Sequence, residues 1–106
     1  MKRLKDKVAV ITGGGGGIGR TTAALFLKEG ARVMLVDLNE DSLKDAIEEL
    51  GDSNTAYCVA DVSDSADVKK YVQDTLETFG RIDVFFNNAG IEGNSFPIAE
   101  YPEEVF

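Results

Sequence analysis

A run of five glycines at residues 13–17, followed by a sixth at Gly19, constrains this chain more than any other feature. The segment before it, KVAVIT (7–12), has the pattern of a buried strand, and residues 18–29 after it have helical periodicity. A flexible linker requires no particular flanks, whereas a turn from a strand into a helix offers unpaired N–H groups and partial positive charge to a phosphate. Glycine lets such a turn be tight and lets a pyrophosphate approach the backbone. We therefore interpret the run as a phosphate-binding turn.

The run fits several phosphate-binding patterns at once. Gly14, Gly16 and Gly19 satisfy G-x-G-x-x-G; Gly13, Gly16 and Gly19 satisfy G-x-x-G-x-x-G; and Thr12, Gly13, Gly17 and Gly19 satisfy T-G-x-x-x-G-x-G. A P-loop is excluded, because no Lys-Ser/Thr pair follows the glycines. The loop alone therefore predicts a phosphate site without identifying the kind of nucleotide-binding protein.

Short apolar runs alternate with longer amphipathic segments along the whole chain. We predict strands at 7–12, 31–37, 55–61 and 82–87, and helices at 18–29, 39–51 and 63–79. The first helix should bury Ile18, Thr22, Leu25 and Phe26, and the last should bury Val68, Tyr71, Val72, Thr75, Leu76 and Phe79. Apolar strands separated by helices imply a Rossmann-like α/β fold, with a parallel sheet of order 3-2-1-4 and helices on both faces. Residues 1–106 are expected to be a single, partial domain, cut near the start of a fourth helix at YPEEVF.

Composition excludes several classes of function. Cys58, the one cysteine, cannot form an internal disulfide, which suggests a reducing compartment and a cytoplasmic location, and its apolar surroundings predict a buried strand position. No histidine is present, so histidine-based zinc sites and catalysis are excluded, and no metal is expected. Residues 1–36 carry a net charge of +5 and residues 37–106 one of −13, which argues against a nucleic-acid partner. No segment approaches the ~20 apolar residues of a membrane span.

An acidic residue ends the second predicted strand. Asp37 lies eighteen residues after Gly19, where a dinucleotide-binding fold has an acid on the adenosine ribose. Its carboxylate would accept hydroxyl hydrogen bonds and repel a 2′-phosphate. Leu38 is uncharged and Gly16 leaves no basic side chain in the loop, so we predict NAD rather than NADP. The alternative is a surface acid or a helix N-cap.

Two further motifs follow the later strands: Asp61-Val62 after the third, and NNAG (87–90) after the fourth. Together with TGGGGGIG they make all 106 residues resemble the N-terminal half of a short-chain dehydrogenase/reductase. The resemblance implies Asp61 near the adenine amino group with Val62 beside it, and Asn88, Ala89 and Gly90 on the ribose and nicotinamide side. The alternatives are a helix cap at Asp61 and a polar turn at NNAG. The full predicted cofactor set is Gly13, Gly15, Gly16, Gly17, Ile18, Gly19, Asp37, Leu38, Asp61, Val62, Asn88, Ala89 and Gly90.

The resemblance also implies hydride transfer between a nicotinamide and a small alcohol or ketone substrate, with a catalytic Ser and Tyr-x-x-x-Lys. Tyr57, Tyr71 and Tyr101 are followed four residues later by Asp61, Thr75 and Val105, so no catalytic residue is predicted here. We expect the front half of an enzyme, or alternatively a non-catalytic nucleotide-binding or assembly module; a domain binding a methyl donor fits the motifs less well. The open side of the fourth strand, with Ile82, Phe85 and Phe86 partly exposed, predicts a homo-oligomer.

Overall fold

The computed structural model describes residues 4–87. Three helices alternate with four strands in the predicted order. The elements are β1 (Val8–Thr12), α1 (Gly17–Lys28), β2 (Arg32–Asp37), α2 (Glu40–Leu50), β3 (Thr55–Val59), α3 (Ser65–Phe79) and β4 (Val84–Asn87). The predicted boundaries differ from these by no more than two residues.

The four strands form one parallel sheet in the order β3-β2-β1-β4, which confirms the predicted topology. β1 therefore lies between β2 and β4. Ile11 of β1 is opposite Leu35 of β2 and Phe86 of β4, and Leu35 is in turn opposite Tyr57 of β3. The carboxyl ends of all four strands consequently meet along one edge of the sheet.

Helices cover both faces of the sheet, and alternate strand residues supply the two cores. Ile11, Val33 and Leu35 point to one face, where Leu27 of α1 and Leu43 of α2 pack against them. The neighbouring strand residues point to the opposite face and pack against α3. The core on that face consists of Val10, Met34, Val36, Cys58, Ala60 and Tyr71.

Side chains cap α2 and α3, and glycines end all three helices. Asn39 accepts from the Ser42 amide at the start of α2, and Asp64 accepts from the Ala66 amide at the start of α3. Gly30, Gly51 and Gly80 all have positive φ, the backbone conformation that ends a helix with least strain in glycine. The start of α1 differs, because its cap residue, Gly16, has no side chain to accept a hydrogen bond.

The predicted inward face of α1 is wrong in two of its four members. Ile18 and Leu25 are 55% and 58% exposed, whereas Gly19, Ala23 and Leu27 are buried. A Cβ on Gly19 would lie 2.3 Å from the carbonyl oxygen of Gly13, so this glycine must face the loop. That contact sets the rotation of the helix, and Ala23 and Leu27 follow it at intervals of four residues.

The remaining burial predictions are mostly confirmed. Phe26 is half-buried and meets Phe86 edge to face, with ring centroids 6.4 Å apart. Cys58 is 5% exposed, and its thiol donates to Oδ2 of Asp74 at 3.1 Å. On α3, Tyr71 is buried as predicted, but Leu76 is 42% exposed.

Within residues 4–87, no helix has the length and apolar character needed to cross a membrane. The same part of the chain contains no group of three or more acidic or cysteine side chains placed to hold a metal ion.

Candidate functional site

The glycine loop, residues 13–16 between β1 and α1, folds tightly over the end of β2. Gly13 has a φ of +68°, a left-handed conformation that favours glycine. The amide of Gly14 then donates to the carbonyl of Val36 at 3.0 Å. A Cβ on Gly14 would lie 2.7 Å from Cβ of Leu35, so a larger residue there would displace the loop from β2.

Gly17 has none of these constraints. A Cβ built on Gly17 meets no atom of the described residues within 4 Å, and the residue is exposed. Packing within residues 4–87 therefore does not require glycine at this position. The absence of a side chain instead leaves the backbone at the start of α1 open to a ligand.

The N-terminus of α1 is suited to an anion. Arg20 makes the first helical hydrogen bond, from its amide to the carbonyl of Gly16 at 2.9 Å. The three preceding amides, of Gly17, Ile18 and Gly19, lie before the first helical bond. No acidic side chain lies in this first turn, whereas α2 and α3 both have acids in theirs. This end of α1 thus keeps its partial positive charge uncompensated by its own side chains.

Asp37 lies beside the loop and accepts from three backbone amides. Its Oδ2 accepts from Gly15 at 3.0 Å, and its Oδ1 accepts from Leu38 at 2.7 Å and from Asn39 at 3.4 Å. Since Asn39 supplies the cap of α2, Asp37 is not the N-cap that the sequence left open as an alternative. The carboxylate is held at the end of β2 with part of its surface exposed.

A small pocket of about 90 Å³ opens between the carboxyl ends of the strands. It is lined by Gly13, Asp37, Leu38, Ala60, Asp61 and Val62. Five of these residues belong to the predicted cofactor set, so the fold brings together residues from three separate loops. Ala60 was missed, although its position directly before Asp61 at the end of a strand is a signal that points to it.

Asp61, which follows β3, lines the same pocket as Asp37. Its Oδ1 accepts from the hydroxyl of Ser63 at 2.6 Å and from the amide of Ser63 at 2.9 Å. The hydroxyl bond, with the amide bond next, lowers the pKa of Asp61, so the group is a carboxylate at neutral pH. Its own amide donates to Asp67. Asp64 caps α3, so Asp61 is not needed as that helix cap.

Asn88, Ala89 and Gly90 lie outside the described residues. The residue just before them, Asn87, ends β4, and its Oδ1 accepts from the hydroxyl of Thr12 at 2.8 Å. Thr12 is 1% exposed and ends β1. This bond ties together the ends of the two strands from which the glycine loop and NNAG begin.

Arg20 is a site-adjacent residue that the sequence analysis missed. Its side chain leaves α1 and reaches both the glycine loop and α2. Nε donates to the carbonyl of Gly15 at 2.9 Å, and Nη2 donates to the carbonyl of Ser42 at 3.1 Å. Nη1 pairs with Asp45 at 3.1 Å and Glu49 at 3.2 Å. No sequence signal distinguished this arginine from an ordinary surface charge.

Comparison with known proteins gives one consistent family. The short chain dehydrogenase family model matches residues 7–106. Levodione reductase from Leifsonia aquatica is 46% identical over 108 aligned residues, covering 98% of this chain and 40% of that protein. Secoisolariciresinol dehydrogenase from Forsythia intermedia is 43% identical, covering 91% of this chain and 35% of that protein.

Solved structures agree with the sequence comparison. A crystal structure of levodione reductase superposes with a TM-score of 0.78 at 46% identity, covering 97% of this chain and 42% of that one. A 3-ketoacyl-(acyl-carrier-protein) reductase from Brucella melitensis, complexed with NADH, superposes with a TM-score of 0.73 at 36% identity, covering 77% and 34%. The chain therefore spans about 40% of the length of the relatives that it matches.

Proposed function

The chain belongs to the short-chain dehydrogenase family, and on that premise we propose that it is the NAD-binding part of an oxidoreductase. The observation that carries this proposal is the pocket at the carboxyl ends of the strands, with Asp37 and Asp61 in its lining and the open N-terminus of α1 beside it. Dinucleotides bind at this position in open α/β sheets, with the pyrophosphate on the first helix. The NADH bound in the Brucella reductase supports the same class of ligand for this chain.

Each part of the site has a separate role in the proposal. The amides of Gly17, Ile18 and Gly19 bind the pyrophosphate, and Gly13, Gly15 and Gly16 shape the turn that leads to them. Asp37 accepts from the adenosine ribose hydroxyls. On the adenine side, Asp61 accepts from the amino group and Leu38 and Val62 supply apolar surface. Asn88, Ala89 and Gly90 would line the ribose and nicotinamide, as the family resemblance implies.

The choice of NAD over NADP rests on charge. Asp37 places a carboxylate where a 2′-phosphate would have to sit, and two like charges in contact repel. Arg20, the cation nearest to the loop on α1, is paired with Asp45 and Glu49 and thus has its charge compensated. The adjacent Leu38 and Gly16 supply no positive charge.

In the complete protein, we propose hydride transfer between NAD and an alcohol or ketone. The nicotinamide, when bound, supplies the hydride acceptor or donor. The residues of this chain bind and orient the cofactor, while proton transfer at the substrate needs an acid–base group that they do not provide. Tyr71, on α3, is 3% exposed, and the hydroxyl of Tyr57 donates to Glu40, so neither tyrosine is placed to act on a substrate.

Calorimetric titration of the 106-residue chain with NAD and with NADP tests this function. We expect NAD to bind at least about tenfold more tightly, and Asp37→Ala to weaken NAD binding by about tenfold, or about 1.4 kcal/mol. Asp41→Ala is the matched control, because Asp41 is an exposed acid four residues away with the same charge. Equal affinity for the two nucleotides would contradict the NAD preference, and no binding of either would contradict the function for this chain.

We further propose that the protein is a homo-oligomer that associates through β4. Ile82, Phe85 and Phe86 are partly exposed, and β4 pairs on one side with β1. Within residues 4–87 no second strand pairs with β4, and an apolar strand edge of this kind favours association with another chain. Sedimentation over a hundredfold range of concentration tests this, and a monomer at the highest concentration would contradict it.

A further inference from the structure

Arg20 joins three parts of the structure that border the proposed cofactor site. Its backbone belongs to α1, its Nε donates to Gly15 in the glycine loop, and its Nη2 donates to Ser42 in α2. The side chain as a whole is 21% exposed, so most of its surface is covered in the folded protein. Loop and α2 are close at this point, because a Cβ on Gly15 would lie 2.6 Å from Cβ of Ser42.

Gly15 is consequently held at both of its backbone polar groups. Its N–H donates to Oδ2 of Asp37 at 3.0 Å, and its C=O accepts from Nε of Arg20 at 2.9 Å. Because the Gly15 carbonyl accepts from Arg20, the carbonyl oxygen points to the guanidinium rather than to the start of α1. The amide of the next residue, Gly16, donates within the turn to Gly13 at 3.1 Å.

From this geometry we propose that Arg20 is a positioning residue for the dinucleotide site. It fixes the peptide plane of Gly15, so that the loop presents N–H groups and no carbonyl oxygen to the pyrophosphate. This inference rests on the proposed function. Arg20 acts through the loop and is not itself an anion ligand, because Asp45 and Glu49 both pair with it.

Arginine suits this role better than lysine. Its planar fork directs separate nitrogens to Gly15, Ser42 and the two acids, and each nitrogen keeps a fixed direction. A lysine ammonium is a single point on a flexible stem and cannot occupy the positions of Nε and Nη2 together. The hydrogen bonds that Arg20 donates to the carboxylates, chiefly the one to Asp45, hold the pKa of Arg20 above its ordinary value, and the side chain stays charged.

The test compares Arg20→Met and Arg20→Lys with the double variant Asp45→Asn/Glu49→Gln. The double variant removes both ion pairs but retains the bond from Arg20 to Gly15, so it is the matched control. Calorimetry with NAD, ADP and adenosine separates the phosphate-binding part of the site from the adenosine part. Amide hydrogen exchange of Gly15 and Gly16, measured by NMR without nucleotide, reports the order of the loop directly.

We expect both Arg20 variants to weaken NAD and ADP by about tenfold, the effect of losing a hydrogen bond from a charged donor. Adenosine binding should stay within about twofold of the wild type, and exchange of the two glycine amides should accelerate by about tenfold. The double variant should resemble the wild type in all four measurements. Arg20→Lys retains the positive charge and a long side chain, so it keeps the test decisive if Arg20→Met does not fold.

Three results would overturn the proposal: NAD affinity and exchange both unchanged in the Arg20 variants, equal losses for adenosine and NAD, or weaker NAD binding with unchanged exchange. The last would mean that Arg20 contacts the ligand itself. If the wild type binds neither NAD nor ADP, the proposed function fails. The exchange rates then decide separately whether Arg20 orders the loop.

Discussion

The amide of Gly15 donates a 3.0 Å hydrogen bond to Oδ2 of Asp37. The acid proposed to bind ribose is thus bonded to the loop proposed to bind the pyrophosphate. Gly15 is buried, so its amide has little access to water as an alternative partner. A substitution at Asp37 should therefore change both ligand binding and the stability of the loop.

We expect Asp37→Ala to lower the free energy of unfolding by about 1–3 kcal/mol, because it leaves the Gly15 amide without its acceptor. Asp37→Asn retains one side-chain oxygen and should cost less stability, while still losing the charge that excludes a 2′-phosphate. Urea denaturation of both variants beside Asp41→Ala measures the difference. Wild-type stability in Asp37→Ala would show that the bond to Gly15 contributes nothing.

Gly17 and Gly19 should respond to alanine in opposite ways. Gly17→Ala has open space for its Cβ and improves helix propensity, so stability should stay the same or rise by up to about 1 kcal/mol. Its methyl group would nevertheless obstruct the proposed pyrophosphate site, and NAD affinity should fall by about tenfold or more.

Gly19→Ala forces a Cβ to within 2.3 Å of the Gly13 carbonyl, and should cost about 3 kcal/mol or more of folding stability. Denaturation midpoints together with NAD titration separate the two variants. Equal stability losses would contradict the geometry of the loop, and a Gly17→Ala variant with wild-type affinity would contradict the position of the pyrophosphate.

Asp83 should make folding stability depend on pH. Desolvation raises its pKa, but this is outweighed by the hydrogen bond from Arg81, the bond from the Val8 amide and the charges of Arg81 and Lys7, and the net effect lowers the pKa. Because the pKa of Asp83 is lower in the folded state, its ionised carboxylate stabilises the protein at pH values above the unfolded-state pKa, which is about 4. This stabilisation is lost as the pH falls through the folded-state pKa.

This pH dependence is tested by comparing the free energy of unfolding of the wild type with that of Asp83→Asn. The wild type should be more stable than the variant by a constant amount, on the order of 1 kcal/mol, from pH 5 to pH 8. The difference should shrink below about pH 4. Urea denaturation across this range measures it, and a difference that grows on acidification would reverse the assigned sign.

Cys58 should be unreactive in the folded protein. Burial, followed by the hydrogen bond to Asp74, raises the pKa of its thiol to about 11. At pH 8 very little thiolate is present, and the sulfur is covered. Labelling with an aromatic disulfide should be at least about a hundredfold slower than in urea.

Asp74→Asn removes the carboxylate that helps to raise the pKa of the Cys58 thiol, but the thiol stays buried. Labelling of this variant should therefore be only modestly faster than labelling of the wild type. Rapid labelling of the wild type at pH 8 would show that β3 opens frequently, or that the thiol is exposed.

Most of the fold could be predicted from the sequence because its signals are local. Continuous apolar runs such as residues 8–11 and 33–36 identify buried parallel strands, and glycines 30, 51 and 80 identify helix ends. The strand order followed from the alternation of strands and helices, the rule for right-handed crossovers and the usual order of a doubly wound sheet. Among the pocket residues, Asp37 followed from its position at the end of the second strand, and Asp61 and Val62 followed from the family resemblance.

The errors concern contacts that the pattern of apolar residues does not reveal. The rotation of α1 depends on how Gly19 meets Gly13, and a count of apolar residues gives no weight to a glycine. Ile18 and Leu25 were therefore assigned to the wrong face. The role of Arg20 depends on where α2 brings Ser42, Asp45 and Glu49, none of which forms a recognisable motif with it.

The central position of β1 has a consequence for the order of events during synthesis. β1 is synthesised before β4, and the hydrogen bond from the Val8 amide to the Asp83 side chain, just before β4, spans 75 residues. At ~5–20 residues per second, β1 waits about 4–15 s for this partner. During that interval Val8–Thr12 is an uncharged segment rich in β-branched residues, a composition prone to intermolecular pairing. Pairing of β1 with β4 is therefore a late, long-range step, and Val8–Thr12 is most vulnerable to aggregation before residue 87 has emerged.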